Sequence, residues 1–409
     1  MFHFILKSKQ TIFAFISNIF YTFAVWIIAV IINFYYGVEA LGEYSLIQAI
    51  IAPLTLFFHL QLKVLATIDT NIKKKFSTYL NTYLLSEITF LAIVIILGIL
   101  LKQTILFYSF AVFKILESLN WLIQGYHQSK NDFYNSFLIA LIRSASLLLI
   151  LWLTLSNEIS LHHSFFLISS TWLFIFIFFD IPKIRNDGCD IRFDFNLKAV
   201  NPIVISGISL STIAFLDSLI VAIPRYFIKG YFDETELGKF TMVLQFFIAS
   251  TIFVISVGHP FLVRLKECLN NNDLKKFRIE VNKTIFIFFL ASTFVLLFFI
   301  LFGKFVLKIV WGSDHAVLHS DLSLSMLGII PLFLSSVFVY AINALRFFKA
   351  HIQYYPIILI SQVLMSLILI PKFGITGGII SIITAQFVRM ILSGIFYFRL
   401  LRLYKKNIS

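Results

Sequence analysis

The sequence predicts an all-α polytopic membrane protein with twelve transmembrane helices, arranged as two six-helix lobes, with both termini in the cytoplasm. Three observations support this prediction: the composition, the number of apolar segments and the distribution of basic residues. Of the 409 residues, 59% are hydrophobic and 13% are charged, whereas soluble domains carry about 25% charged residues. A chain of this composition is expected to lie in a lipid bilayer.

Twelve segments are long and apolar enough to be transmembrane helices, each of which needs about 20 residues. They lie at roughly 10–33, 44–66, 79–101, 103–124, 133–155, 161–181, 202–224, 238–260, 284–307, 322–345, 354–371 and 376–398. The first segment is too long for the apolar core of a signal peptide, so we expect it to be retained. An even number of spans places both termini on the same side of the membrane.

The basic residues assign that side. The loops on the side of the termini contain 23 Lys and Arg residues, and the opposite loops contain five. Because cytoplasmic loops carry the excess of Lys and Arg, the termini are predicted to be cytoplasmic. The same asymmetry explains the net charge of +13, so we expect no nucleic-acid partner.

Two segments resemble each other and suggest an internal repeat. The segment 39–45 (EALGEYS) is similar to the segment 235–241 (TELGKFT), which lies 196 residues further on. Their equivalent positions among the predicted spans indicate two parallel six-helix repeats. The charged segment 182–201 lies between the repeats, and its acids are interpreted as those of a solvated linker. We therefore expect residues 1–190 to form the N-terminal lobe and residues 191–409 to form the C-terminal lobe.

The sequence lacks the motifs of soluble catalytic sites. It contains no G-x-x-x-x-G-K-[ST] loop for ATP phosphates and no H-E-x-x-H zinc motif. Its two cysteines do not combine with histidines at the spacing of a zinc site. We expect no enzymatic activity, no metal and no cofactor.

Charged residues inside the predicted spans are the candidate functional residues. They are Glu87, Lys114, Glu117, Arg143, Asp217, Arg225 and Arg389. Each costs roughly 2.5–3.5 kcal/mol on insertion scales, so such residues normally face a cavity or a partner. Lys114 and Glu117, three residues apart, can neutralise each other on one helix face or take part in transport. Glu87 is interpreted as structural.

Each of the three arginines has two possible roles. Arg143 has no acid on its own helix, so it either pairs with Asp217 or Glu117 or meets an anionic ligand. Arg225 follows a proline, which removes a backbone donor, and it either serves a site or extends to the lipid headgroups. Arg389 lies in mid-helix, where the headgroups are harder to reach, and both a functional and a structural role are open.

Five segments of the chain carry a family resemblance. They are ALGEYS (40–45), WLIQG (121–125), AIPRYF (222–227), ELGKF (236–240) and KFGITGG (372–378). These segments resemble those of the bacterial O-antigen flippases (Wzx type), which are polysaccharide transporters of the multidrug/oligosaccharidyl-lipid/polysaccharide (MOP) exporter superfamily. The resemblance covers nearly the whole chain, including its length and its predicted number of helices.

This resemblance implies a V-shaped, MATE-like pair of lobes around a central cavity. It implies that an undecaprenyl-diphosphate-linked oligosaccharide moves from the cytoplasmic to the periplasmic leaflet of the bacterial inner membrane. It also implies alternating access driven by an ion gradient, with a polysaccharide polymerase and glycosyltransferases as further partners.

The resemblance also suggests roles for the charged residues in the spans. Arginine supplies paired donors that suit a diphosphate, so cations are assigned to the substrate and carboxylates to the coupling ion. The substrate residues assigned in this way are Arg143, Arg225, Lys114 and Arg389, and the ion-coupling residues are Asp217 and Glu117.

Other functions fit the sequence less well. A drug or cation exporter of the same superfamily is disfavoured because arginines in the spans would repel a cationic substrate. The drug or cation exporter is still the nearest alternative, and an exporter of teichoic or capsular polysaccharide is another member of the same superfamily that fits. Lipid II flippases usually have two further helices, and membrane glycosyltransferases or O-antigen polymerases usually have a large outer loop, which this sequence lacks. A purely structural role does not account for the charges.

Overall fold

The computed structural model describes residues 9–69, 71–189, 191–192, 194, 196–271, 273–347 and 349–408. These residues form helices and short connections, without a strand, which confirms the predicted all-α class. The helices are α1 (Lys9–Phe58), α2 (Leu62–Ile68), α3 (Ile72–Leu100), α4 (Ile105–Ser129), α5 (Phe133–Ser156), α6 (Leu161–Ile175), a π-helical turn (Phe176–Asp180), α7 (Ile181–Asn186), α8 (Leu197–Tyr231), α9 (Glu234–Asn270), α10 (Leu274–Trp311), a 3₁₀ turn (Ser313–Leu318), α11 (His319–Leu327), α12 (Ile329–Ala344) and α13 (Lys349–Ile408).

Two of the helices are far longer than a membrane is thick. Helix α1 contains 50 residues and α13 contains 60, and an α-helix of 50 residues is about 75 Å long. Each is broken at a glycine, Gly37 with φ 80° and Gly374 with φ 54°, which are backbone conformations that glycine adopts without steric cost. Each long helix therefore contains two of the predicted spans.

Ten helices in the described part of the chain are long and apolar enough to cross a membrane. The first and last of them include the broken helices α1 and α13, which is why the structure has fewer continuous helices than the sequence has apolar segments. The exact number of twelve spans and the cytoplasmic side of the termini stay predictions.

The Cα positions group the chain into two compact units. The first contains Ile50–Ser218 together with the chain up to Tyr35, and the second contains Tyr36–Ala49 and Leu219–Ser409. The boundaries fall inside α1 and α8, so each of these helices contributes to both units. The predicted division between residues 190 and 191 stays a prediction.

Helix α4 forms the centre of the first unit. Its aromatic residues Phe110 and Phe113 are buried and contact the rings of Phe165 and Trp172 on α6. The neighbouring helices α3, α5 and α6 expose many large apolar side chains, as expected of helices that face lipid. The polar residues of α4 therefore lie inside the protein.

The described part of the segment after α7 packs against other helices of the first unit. The Asp187 carboxylate accepts a hydrogen bond from the Tyr126 hydroxyl at 3.1 Å and pairs with Lys130. Burial raises the pKa of Asp187, but the Lys130 and Tyr126 hydrogen bonds lower it more, so that this pKa lies below its usual value. The Asn81 side chain donates to the Arg192 carbonyl at 3.1 Å. In the described part of this segment, Asp187 thus has partners on and after α4, whereas Asp194 is exposed. The interpretation of the acids as those of a solvated linker stays a prediction.

The repeated Leu-Gly elements meet in the second unit. A Cβ atom on Gly42 of α1 would lie 1.9 Å from the carbonyl oxygen of Glu234, at the start of α9. A Cβ atom on Gly238 of α9 would lie 2.1 Å from the carbonyl oxygen of Val38. The 196-residue spacing relates Val38 to Glu234 and Gly42 to Gly238. The helices α1 and α9 therefore approach each other closely at two equivalent contacts.

Candidate functional site

Helix α4 carries a row of buried polar side chains. Lys114, Glu117, Ser118, Asn120 and Gln124 are all buried. The steps of three or four residues from Lys114 to Glu117 and Ser118, and from Asn120 to Gln124, place them towards one side of the helix. Burying such groups is costly unless each finds a partner. Their partners come from α1, α2, α3 and α5, so this row is the candidate site of the first unit.

Lys114 and Glu117 form an ion pair. The Lys114 ammonium lies 2.6 Å from one oxygen of Glu117, and the Tyr21 hydroxyl donates to the other oxygen at 2.5 Å. The ammonium also lies 5.4 Å from the ring centre of Phe110, a distance suited to a cation–π contact. The pairing expected from their spacing is present, and the assignments of Lys114 to substrate and Glu117 to ion coupling stay predictions.

Arg143 is paired with an acid that the sequence analysis did not single out. Its Nη2 atom donates to Asp180 at 2.5 Å, and its Nη1 atom donates to the Asn120 side-chain oxygen. The Arg143 and Asp180 side chains are 2% and 6% exposed. The sequence offered Asp217 or Glu117 as the partner. Asp180 ends the π-helical turn, a type of helix distortion that is frequent at functional sites.

A chain of amides links this ion pair to a second cation. The Gln124 amide nitrogen lies 3.3 Å from the Asn120 oxygen that Arg143 contacts, and the Lys63 ammonium donates to the Gln124 oxygen at 3.0 Å. The chain from Lys63 to Asp180 therefore contains two cations and one carboxylate. Sequence reasoning counted Lys63 among the loop charges, although it lies inside the predicted span 44–66, and that position was the available signal.

Arg225 is a buried cation of the second unit. Its side chain is 4% exposed, which does not fit the alternative that it extends to the headgroups. Its Nη1 atom lies 3.4 Å from the Gln48 side-chain oxygen, and in the described part of the chain no carboxylate lies within ion-pair distance of it. Its Nε atom has no hydrogen-bond partner among these residues. A buried guanidinium held by a neutral amide can accept an anion.

The residue after Arg225 explains why α8 and α1 are joined here. Pro53 lies inside α1 and cannot donate to the carbonyl of Ala49, one turn earlier. The Tyr226 hydroxyl donates to this carbonyl oxygen at 2.5 Å. The hydroxyl thus satisfies a buried acceptor that the proline leaves open, and it holds Arg225 beside Gln48.

Replacing Tyr226 with Phe tests this contact. We expect Tyr226→Phe to lower the free energy of unfolding by about 1–3 kcal/mol, because the buried Ala49 carbonyl loses its donor. The measurement is thermal unfolding of the purified protein, with Tyr231→Phe as the matched control, since Tyr231 is exposed. Equal unfolding temperatures for the two variants would contradict the role of this hydroxyl.

The remaining candidates, Arg389 and Asp217, belong to different units. Arg389 is buried in the second unit, and its Nη2 atom donates to the Tyr355 hydroxyl at 3.2 Å. Asp217 is half-buried on the part of α8 that belongs to the first unit. The structure brings Lys114 together with Glu117, and it does not pair Arg143 with either predicted acid. The substrate and ion-coupling assignments of these residues stay predictions.

The chain is similar to one protein of polysaccharide synthesis. No protein-family model matches it. It is 24% identical over 401 residues to the capsular polysaccharide biosynthesis protein CapF of Staphylococcus aureus, and the match covers 96% of this chain and 99% of the relative.

Solved transporter structures share its fold. The inward-facing structure of a multidrug resistance MATE family transporter of the MOP superfamily has a TM-score of 0.69 at 13% identity, covering 99% of this chain and 98% of the transporter. A MOP superfamily transporter from Pyrococcus furiosus, described as having a binding pocket of reversed polarity, has a TM-score of 0.65 at 13% identity, covering 97% and 96%. This protein therefore has the multi-pass helical membrane fold of the MATE transporters of the MOP superfamily.

Proposed function

We propose that this protein is a flippase of the bacterial inner membrane. It moves an undecaprenyl-diphosphate-linked oligosaccharide, such as an O-antigen repeat unit, from the cytoplasmic to the periplasmic leaflet by ion-coupled alternating access. The fold of known transporters supports export, and the similarity to CapF supports a polysaccharide cargo. Glycosyltransferases would supply the lipid-linked unit, and a polysaccharide polymerase would consume it.

The observation that carries the proposal is the burial of Arg225 in the second unit without a carboxylate beside it among the described residues. Arg225 is held by the Gln48 amide, and its Nε atom points to no acceptor among the described residues. A buried cation without a counter-ion is costly, and a bound anion removes part of that cost. A diphosphate suits this role because a guanidinium offers it two parallel donors.

The charge balance also favours this substrate over a cationic one. In the first unit, the chain of contacts from Lys63 to Asp180 has an excess of positive charge. Like charges would repel a cationic drug, so a drug or cation exporter fits less well. The capsular repeat unit is the second candidate cargo, favoured by the relative CapF, and it presents the same lipid diphosphate to the protein.

Deletion of the gene tests the flippase proposal directly. We expect lipid-linked oligosaccharide to accumulate on the cytoplasmic face of the deletion strain, with rescue by the wild-type gene. The measurement is the fraction of the lipid-linked sugar that an impermeant lectin reaches in spheroplasts. A deletion strain in which this fraction equals that of the wild type would contradict the proposal.

The arginine variants test the assignment of the site. We expect Arg225→Ala to reduce the rate of flipping about 10- to 100-fold, which corresponds to the loss of a charge-assisted hydrogen bond, and Arg225→Lys to retain part of it. Lys308→Gln is the matched control, because it removes the same charge from an exposed side chain. Full rescue by Arg225→Ala, at wild-type protein levels, would reject Arg225 as a substrate residue.

A further inference from the structure

A groove lies on the surface of the last helix, near the end of the chain. It has a volume of about 530 Å³, within the range of about 300–1,000 Å³ that is usual for ligand-binding clefts. The described residues that line it all belong to α13, and they are Ile395, Phe398, Arg399, Arg402 and Leu403. Steps of three or four residues connect each of them to another, so they share one face of the helix. We call this site the α13 groove.

The α13 groove opens away from the core of the second unit. Its three apolar side chains are between 45% and 56% exposed. On the other side of the helix, Leu400 and Leu401 are buried, and the ring of Tyr397 packs 5.6 Å from that of Phe338 on α12. The helix is therefore held to the protein by one face and presents the groove on the other.

The polar part of the groove is cationic. Arg399 and Arg402 are both exposed, and no carboxylate is among the described residues that line the groove. The charge of Arg278, near the start of α10, acts on Tyr397, so a third arginine adds to the positive potential at this end of the unit. Because a guanidinium offers two parallel donors to a phosphate group, the groove suits a ligand that carries one.

The cationic and apolar parts of the groove lie at different depths of the predicted bilayer. The predicted span 376–398 ends next to Arg399, so the two arginines follow its end by one and four residues, or about 1.5–6 Å along the helix. Ile395 and Phe398 lie in the last turn of the span. This is the predicted cytoplasmic side, where anionic lipids attract Lys and Arg residues close to the membrane surface. The arginines are thus placed at the level of the headgroups and the two apolar residues at the level of the acyl chains.

We propose that the α13 groove binds an anionic phospholipid of the cytoplasmic leaflet. The phosphate diester lies between Arg399 and Arg402, and an acyl chain covers Ile395 and Phe398. A free phosphate leaves the apolar side chains uncovered, and a neutral lipid leaves the two guanidiniums without a counter-charge. The site is separate from the proposed transport function, because a phospholipid of the surrounding membrane is not the cargo.

Native mass spectrometry of the full-length protein in detergent micelles tests this site. The probes are phosphatidylglycerol and phosphatidylcholine with the same acyl chains, added at equal concentrations. We expect the wild type to bind phosphatidylglycerol in preference to phosphatidylcholine. In the double variant Arg399→Gln with Arg402→Gln, we expect phosphatidylglycerol to bind at least about tenfold more weakly, because each cation near the membrane surface strengthens the binding of an anionic lipid severalfold.

Lys73→Gln with Lys74→Gln is the matched control. It removes two charges from exposed side chains of α3, on the same predicted side of the membrane and outside the groove. We expect this control to bind phosphatidylglycerol as the wild type does. An equal loss of binding in the control would show attraction by the overall charge and overturn the site, and so would wild-type binding by the groove variant.

A thermal unfolding measurement separates lipid binding from any change in the fold. We expect phosphatidylglycerol to raise the unfolding temperature of the wild type, because a ligand stabilises the state that binds it, and to raise that of the groove variant much less. Each rise is measured against the same protein without added lipid. A rise in the groove variant equal to that in the wild type would overturn the site.

Inorganic phosphate tests whether the ligand is a lipid or a free anion. We expect phosphate, at the same concentration as phosphatidylglycerol, not to displace the lipid, because it makes no contact with the apolar side chains. Displacement by phosphate would overturn the lipid assignment. None of these measurements requires lipid-linked sugar, so their outcome is independent of the flippase proposal.

Discussion

Replacing Arg143 with Met is expected to lower the free energy of unfolding by about 3–5 kcal/mol, because it leaves the Asp180 carboxylate buried without its cation. The two side chains are 2% and 6% exposed and lie 2.5 Å apart. Because both side chains are buried, the Asp180 carboxylate gains little solvation in place of the guanidinium. Arg143→Met should therefore yield little folded protein.

The double variant separates the ion pair from the rest of the site. Replacing a buried pair by apolar side chains of similar volume is often neutral, so we expect Arg143→Met with Asp180→Leu to recover most of the lost stability. The measurement is thermal unfolding of the purified proteins, with the exposed Arg402→Met as the control. A double variant as unstable as the single one would show that the contact with Asn120 carries the stability.

Adding one methyl group to Gly42 is expected to destabilise the second unit by about 1–3 kcal/mol or more, the usual range for overpacking. The new Cβ atom would lie 1.9 Å from the backbone carbonyl oxygen of Glu234. A backbone atom cannot rotate away as a side chain can, so the helices must separate. Gly238→Ala should have a similar effect, because its Cβ atom would lie 2.1 Å from the carbonyl oxygen of Val38.

Gly230 provides the matched control for this substitution. A Cβ atom at Gly230 meets no atom within 4 Å, and in a helix the change to Ala is favourable by itself. Gly230→Ala should therefore unfold at the wild-type temperature or slightly above it. If Gly42→Ala behaves like Gly230→Ala in the same thermal unfolding measurement, the close crossing of α1 and α9 does not contribute to stability.

The class of fold could be predicted from composition because a bilayer accepts only chains whose backbone groups are paired internally. Hydropathy then locates the spans, but it does not show whether two consecutive spans belong to one long helix. Gly37 and Gly374 each connect two spans without a loop, and glycine is too common in membrane helices for the sequence to mark these two as kinks.

The candidate site could be predicted only where the partners are close in sequence. Lys114 and Glu117 lie one helical turn apart, so their contact follows from spacing. Arg143 and Asp180 are on different elements and 37 residues apart, and spacing says nothing about such a pair. Glu87 was interpreted as structural, and its neighbour in the structure, His59, was not singled out, because 28 residues separate them in the sequence.

The crossing of α1 and α9 has the form of a contact in a symmetric dimer. On a two-fold axis, each residue faces the copy of itself or of a near neighbour, and the Thr241 hydroxyl donates to that of Ser45, its counterpart in the repeat, at 2.6 Å. Within one chain, the two equivalent positions need not carry the same residue, and the position held by Glu43 in one segment is held by Lys239 in the other. In a homodimer both subunits have the same sequence, so two equivalent positions cannot carry residues of opposite charge.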